Sequence, residues 1–254
     1  MAPNCSFVFV PGAWHRPETW DKLIAEIEPK GYKCVAVTLP STLSDPAITF
    51  EDDVKAVQNA IVKETTLGRD VVLVVHSYGG HVGNSAIKGF AAKDSRPGRV
   101  IGLAMMATGF TVSGRCFMDG LGGKPPPEWK DDVENGFVVI VVDPREMFYH
   151  DLPEKEGTAW VSKLTKHSLK SLYEGAPYSY AGWQDVPCWF LLTTQDKALP
   201  AQAQHMFVKA AQDAGADVTV REIESSHSPM LSRPKETADF VLEAAADFER
   251  KRRN

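Results

Sequence analysis

Hydrophobic and polar positions along the chain fall into two alternating rhythms. Short, nearly unbroken apolar runs occur at Phe7–Val10, Cys34–Leu39, Val71–His76, Val100–Met106, Cys188–Thr193 and Val218–Ile223. Unbroken hydrophobicity over that length suits strands covered on both faces, as parallel strands are. Between the runs, Thr19–Glu28, Phe50–Glu64, His81–Ala92, Ala201–Ala214 and Lys235–Arg250 read as helices. In Phe50–Glu64 the apolar residues Phe50, Val54, Val57 and Ile61 recur at helical spacing and share one face. Pro200 ahead of Ala201 and Gly215 after Ala214 supply a helix start and stop. Strands alternating with helices predict an α/β fold, a mostly parallel sheet with helices on both faces.

One segment breaks the alternation. Residues 109–183 hold Gly120-Leu121-Gly122-Gly123, Pro125-Pro126-Pro127, a strand-like Phe137–Val142 and amphipathic stretches around Trp160–Leu172. Structureless loops of that length are rare inside compact domains. The reading is therefore a lid inserted into a core made of residues 1–108 and 184–254. Gly120–Lys124 is not a phosphate loop, because the earlier glycine is missing and Pro125 follows Lys124.

The chemistry gathers at strand ends. Val71-Val72-Leu73-Val74-Val75 runs straight into His76-Ser77-Tyr78-Gly79-Gly80 and then a helix. A serine on a tight strand-to-helix turn is a nucleophile elbow, and small residues after it let the helix return onto the sheet. Val75 stands where the G-x-S-x-G pattern has its first glycine, so this motif alone leaves a plain strand–loop–helix turn open. Two further strand ends change the balance. The run Cys188–Thr193 leads into Thr194-Gln195-Asp196, and Val218–Ile223 leads into Glu224-Ser225-Ser226-His227. A serine hydroxyl needs a base within reach, and that base needs an anion to orient it and stabilise its charged form. Ser77, Asp196 and His227 supply these three groups in the chain order nucleophile, acid, base. The loop Val10-Pro11-Gly12-Ala13-Trp14-His15 would add the Ala13 N–H to that of Tyr78 as an oxyanion hole, with Gly12 allowing close backbone approach.

Taken together, Gly12-Ala13-Trp14-His15, His76-Ser77-Tyr78-Gly79-Gly80, Asp196 before Ala198-Leu199-Pro200, and Ser226-His227-Ser228-Pro229-Met230-Leu231 resemble the α/β-hydrolase superfamily. The resemblance spans nearly the whole chain. It is closest to the compact group of plant methylesterases, hydroxynitrile lyases and microbial esterase-like proteins. It implies a six-stranded α/β-hydrolase fold with an inserted lid, a carboxylic ester hydrolase activity and no cofactor. Pro11 replaces the family's usual His, and the amide donor after it is retained. The lyases of the group carry a Thr in the oxyanion loop and a Lys after the triad His, where this chain has Gly12 and Ser228. Those differences favour ester, lactone or thioester hydrolysis over cyanohydrin cleavage. Two alternatives stay open: a lyase or cyclase using His227 as a base without an acyl-enzyme, and a ligand receptor on a hydrolase scaffold.

Gly12, Trp14, His15, His81 and Phe110 are the candidate substrate-binding residues, and aromatics concentrated in the oxyanion loop and lid suggest an apolar cavity. His15 and His81 could instead make structural contacts at its mouth, and the Tyr78 ring could either line the pocket or fill the elbow. Asp119, Asp143 and Asp151 lie in the lid region, and none ends a core strand.

Composition narrows the partners. The 254 residues carry 28 Lys+Arg against 33 Asp+Glu, and this net −5 argues against nucleic acid, which needs a concentrated basic face. The only basic cluster, Lys251-Arg252-Arg253, reads as a frayed helix end. No run approaches the roughly 18–20 apolar residues of a membrane span, and the N-terminus lacks a signal-peptide pattern. Cys5, Cys34, Cys116 and Cys188 are far apart, which suits reduced thiols in a cytoplasmic protein. His76 and His81 lack the spacing and intervening acid of a zinc motif, so no metal is expected. A strand at Phe137–Val142 could pair with a second copy of the chain, giving a homodimer.

Overall fold

The computed structural model describes residues 4–91 and 97–253. Its core strands and helices, in chain order, are β1 Cys5–Val10, α1 Asp21–Ile27, β2 Lys33–Ala36, α2 Phe50–Thr66, β3 Asp70–His76, α3 Tyr78–Ala86 and β4 Val100–Met106. An excursion follows, with β5 Trp129–Asp132, β6 Phe137–Ile140, α4 Pro144–Phe148, α5 Glu154–Val161, β7 His167–Ser168 and α6 Leu169–Tyr173. The chain returns through β8 Cys188–Thr193, α7 Ala201–Asp213, β9 Val218–Ile223, α8 Pro229–Ser232 and α9 Pro234–Arg253.

Six strands form one sheet in the order β2-β1-β3-β4-β8-β9, and every neighbouring pair is parallel. All residues of β1, β3, β4 and β8 are buried, because helices cover both faces. The edge strands differ. β9 is half-exposed along its length, since no described strand pairs with its outer side. β2 ends at Ala36, short of the expected Leu39, although the Val37 N–H still donates to the Phe9 carbonyl before Pro40 turns the chain. Phe50, Val54, Val57 and Ile61 of α2 are all buried, each contributing about 2 kcal/mol of apolar burial.

Helix bounds depart from the sequence reading where local geometry intervenes. The helix expected at His81–Ala92 begins at Tyr78, directly on the serine turn, and its regular part ends at Ala86; Ala92 lies outside the described residues. Thr19–Glu28 splits into a 3₁₀ turn, Pro17–Trp20, and α1. The basic cluster is not frayed at Lys251 and Arg252. Lys251 bonds Asp217 and Asp247, and Arg252 bonds Asp70 at 2.7 Å, so both cations tie α9 to the sheet.

β5, β6 and β7 make a small antiparallel sheet with β6 in the middle. β6 thus has neighbours on both sides at Phe137 and Val138, the first two residues of the Phe137–Val142 run. The thiols of Cys5, Cys34, Cys116 and Cys188 are free. Among the described residues no helix is long and apolar enough to cross a membrane, and no three His, Cys, Asp or Glu side chains group as a metal cluster.

Candidate active site

Ser77 closes β3 with φ 51° and ψ −127°, a backbone conformation that a non-glycine residue adopts only when its surroundings enforce it. The enforcing contacts are visible. The Ser77 N–H donates to the Met106 carbonyl, and the Ser77 carbonyl accepts from Gly80 N–H at 2.8 Å and from Thr108 Oγ1 at 2.7 Å. α3 must then fold back past β1. A Cβ on Gly79 would lie 2.4 Å from the Val10 and Pro11 carbonyl oxygens, so only glycine lets the helix start there.

Gly12 brings the neighbouring loop against the same turn. A Cβ on it would sit 3.0 Å from the Ser77 Cβ, so the Gly12–Ala13 backbone borders the serine. The Tyr78 ring does not enter a pocket. It is buried, its O–H donates to Asp53 Oδ2 at 2.8 Å, and Asp53 Oδ1 accepts the Ser41 N–H. Burial pushes the Asp53 carboxyl up to about 6.

The acid and the imidazole meet at the far side of the sheet edge. His227 Nδ1 lies 2.8 Å from Asp196 Oδ2, and both side chains are shut away from solvent. Asp196 is oriented by the other groups that reach it: Thr193 Oγ1 and Gln204 Nε2 donate to Oδ2, while Ala198 N–H and Leu199 N–H donate to Oδ1. With a carboxylate against Nδ1, the imidazole carries its proton there and keeps Nε2 as a lone pair. The serine turn reaches the same place through its preceding residue. His76 Nε2 donates to the His227 carbonyl at 2.7 Å, and the two rings lie 4.6 Å apart. The sequence places His76 in the elbow motif without this role, because a tie to a backbone carbonyl 151 residues away has no local signature.

The remaining candidates are engaged with protein groups. Trp14 takes φ 60°, is buried, and its indole N–H donates to the Val138 carbonyl. His15 is buried with Nδ1 2.6 Å from the Ala13 carbonyl and Nε2 2.6 Å from the Tyr149 hydroxyl, and burial lowers it to about 4. His81 lies against the Phe50 ring and Ser179 Oγ, and burial again lowers it to about 4. The Phe110 ring stacks on Phe190 and meets Trp183 edge-on. A cleft of about 490 Å³ opens between residues 15–19 and 160–165, with His15, Tyr149, Trp160 and Leu164 among its walls. Ser77 and His227 are not part of its lining; of its walls, His15 packs on His76 and Tyr149 on Phe148. Asp143 caps α4, Asp119 accepts the Cys116 N–H, and Asp151 accepts the Ser226 N–H, one residue from His227.

Known proteins share this arrangement of chain. The model of the family described as alpha/beta hydrolase matches residues 7–240. "Alpha/beta hydrolase nvfD" of Aspergillus novofumigatus is 31% identical over 247 residues, covering 95% of this chain and 97% of that protein. "Methylesterase 1" of Arabidopsis thaliana is 26% identical, covering 95% and 96% respectively. "Alpha-hydroxynitrile lyase" of the same plant is 24% identical, covering 95% and 97%. Among solved structures, an extracellular alpha/beta-hydrolase from a Paenibacillus species superposes with a TM-score of 0.76 at 19% identity, covering 94% of this chain and 98% of that one.

Proposed function

The chain belongs to the alpha/beta hydrolase family, in its methylesterase-like group of carboxylic ester hydrolases, and from that premise we propose that Ser77, His227 and Asp196 cleave a small apolar ester, lactone or thioester through an acyl-enzyme. Ser77 Oγ attacks the carbonyl carbon while His227 Nε2 takes its proton. The imidazolium that forms is held by Asp196 at Nδ1. The Ala13 and Tyr78 amides face the oxyanion, helped by the N-terminus of α3. Collapse of the tetrahedral species expels the alcohol or thiol, which leaves with the proton from His227. Water, deprotonated by the same nitrogen, then releases the acid and restores Ser77.

The observation that supports this reading is the buried His227–Asp196 pair at 2.8 Å, tied through His76 to the strained turn that carries Ser77. Residues 109–183 act as the lid over the site. Gly12 borders the reacting centre, and Trp14, His15, His81 and Phe110 are assigned to the substrate pocket. Four free thiols suit a cytoplasmic setting. Ser77→Ala should reduce hydrolysis of an aryl ester by at least about 10³-fold with the fold intact; wild-type turnover in that variant ends the assignment.

The likeness to a hydroxynitrile lyase favours a second reading, in which His227 is a base and no acyl-enzyme forms. Gly12 and Ser228 weaken it, since Gly12 has no hydroxyl where the lyase pattern carries a Thr and Ser228 has no ammonium where it carries a Lys. Intact-mass spectrometry during turnover separates the two: an acyl adduct on Ser77 belongs to the hydrolase alone.

A further inference from the structure

Three consecutive residues of the excursion, Tyr149, His150 and Asp151, each hold a different loop of the proposed site. Tyr149 reaches the oxyanion loop. The Ala13 carbonyl can only accept, so His15 Nδ1 carries the proton and donates to it at 2.6 Å. His15 Nε2 is then a lone pair, and the Tyr149 hydroxyl donates to it at 2.6 Å. All of these groups are buried, and a histidine lowered to about 4 stays neutral near pH 7, so the direction of the chain is fixed. His150 reaches the acid loop, its Nε2–H donating to the Gln195 carbonyl at 2.8 Å, immediately before Asp196. Asp151 reaches the base loop, its Oδ2 accepting the Ser226 N–H at 2.9 Å, immediately before His227. The same two segments are joined again where Ser226 Oγ donates to the Phe148 carbonyl.

Loops at the end of a sheet are the most easily displaced part of an α/β fold, yet the chemistry needs them held to a fraction of an ångström. Among the described residues, nothing in the sheet's own hydrogen bonding spans the loops after β1, β8 and β9 together. We propose that Tyr149, His150 and Asp151 are positioning residues, a clamp by which the excursion aligns the oxyanion loop with the acid and the base. This rests on the triad reading above. The excursion is then part of the catalytic alignment as well as a cover.

The test is steady-state kinetics on an aryl ester, with kcat expressed per folded molecule from near-ultraviolet circular dichroism. Tyr149→Phe removes one hydroxyl and keeps the ring; Asp151→Ala removes the acceptor for Ser226, and Asp151→Asn restores an acceptor oxygen. Tyr149→Phe and Asp151→Ala should each lower kcat between about 10- and 100-fold with KM within about twofold of wild type, because a displacement near 1 Å has that effect on rate. Asp151→Asn should recover most of the loss. Should Asp151→Ala fail to fold, the nearly isosteric Tyr149→Phe decides. Wild-type kcat per folded molecule in Tyr149→Phe, or an Asp151→Asn protein as slow as Asp151→Ala, overturns the clamp. Ser77→Ala, assayed alongside, keeps the two ideas apart: activity there removes the triad itself, whereas inactivity there with wild-type clamp variants removes only the clamp.

Discussion

Lowering the pH from 7 to 5 should take at least about 4 to 5 kcal/mol from the stability of this fold, because it holds several histidines in their neutral form. Burial lowers His15 and His81 to about 4 and His167 to about 3, from an ordinary value of 6.5. His76 is displaced in the same direction by the same cause. An unfolded chain takes up these protons below pH 6.5, and the folded one refuses them. The stability they contribute is therefore complete above 6.5 and is lost as the pH falls toward the folded values. Between pH 7 and 5 the loss is about 2 kcal/mol for each of His15, His81 and His167. Asp53 works the other way. Raised to about 6 by burial, it favours the fold as the pH falls and offsets about 1 kcal/mol over the same interval. Urea unfolding followed by tryptophan fluorescence at pH 7, 6 and 5 measures the difference directly. His167→Gln, whatever it does at pH 7, should remove about 2 kcal/mol of the dependence. Stability that is flat to within about 1 kcal/mol, or a His167→Gln protein with the full wild-type dependence, would refute the reasoning.

Other substitutions probe the site and its scaffold. Asp196→Asn keeps the volume but takes the anion from His227, and should lower kcat by about 10⁴ with little change in KM; a loss under about tenfold would show that another group orients the imidazole. Gly79→Ala would put a methyl group 2.4 Å from two backbone carbonyls that cannot yield. It should destabilise the protein by about 3 kcal/mol or more, and a wild-type melting temperature would mean that α3 is free to shift.

The sheet was legible because its strands are written as continuous apolar runs: Val100–Met106, Cys188–Thr193 and Val218–Ile223 coincide with β4, β8 and β9 to the residue. Ser77, Asp196 and His227 stand out as candidates because each follows shortly after such a run, and parallel strands bring the loops after them to one edge of the sheet. What the chain did not disclose are the contacts made to backbone groups. The N–H of Ser226 and the carbonyls of Gln195, Ala13 and His227 exist at every residue type, so their partners Asp151, His150, His15 and His76 carry no pattern to read. Tyr78 was undecided for a similar reason. The carboxyl that takes its hydroxyl into the interior, Asp53, sits on α2 among residues that look like an ordinary charged helix start.

β4 and β8 lie side by side in the sheet, so everything between them is a detour whose two ends are already neighbours. A designer could exchange that detour for another without rethreading a single strand, which makes it the natural place to alter what the enzyme accepts. A transplanted detour lacking counterparts of the Tyr149 hydroxyl and the Asp151 carboxylate would nevertheless arrive with new selectivity and slack chemistry, and the two would have to be regained together.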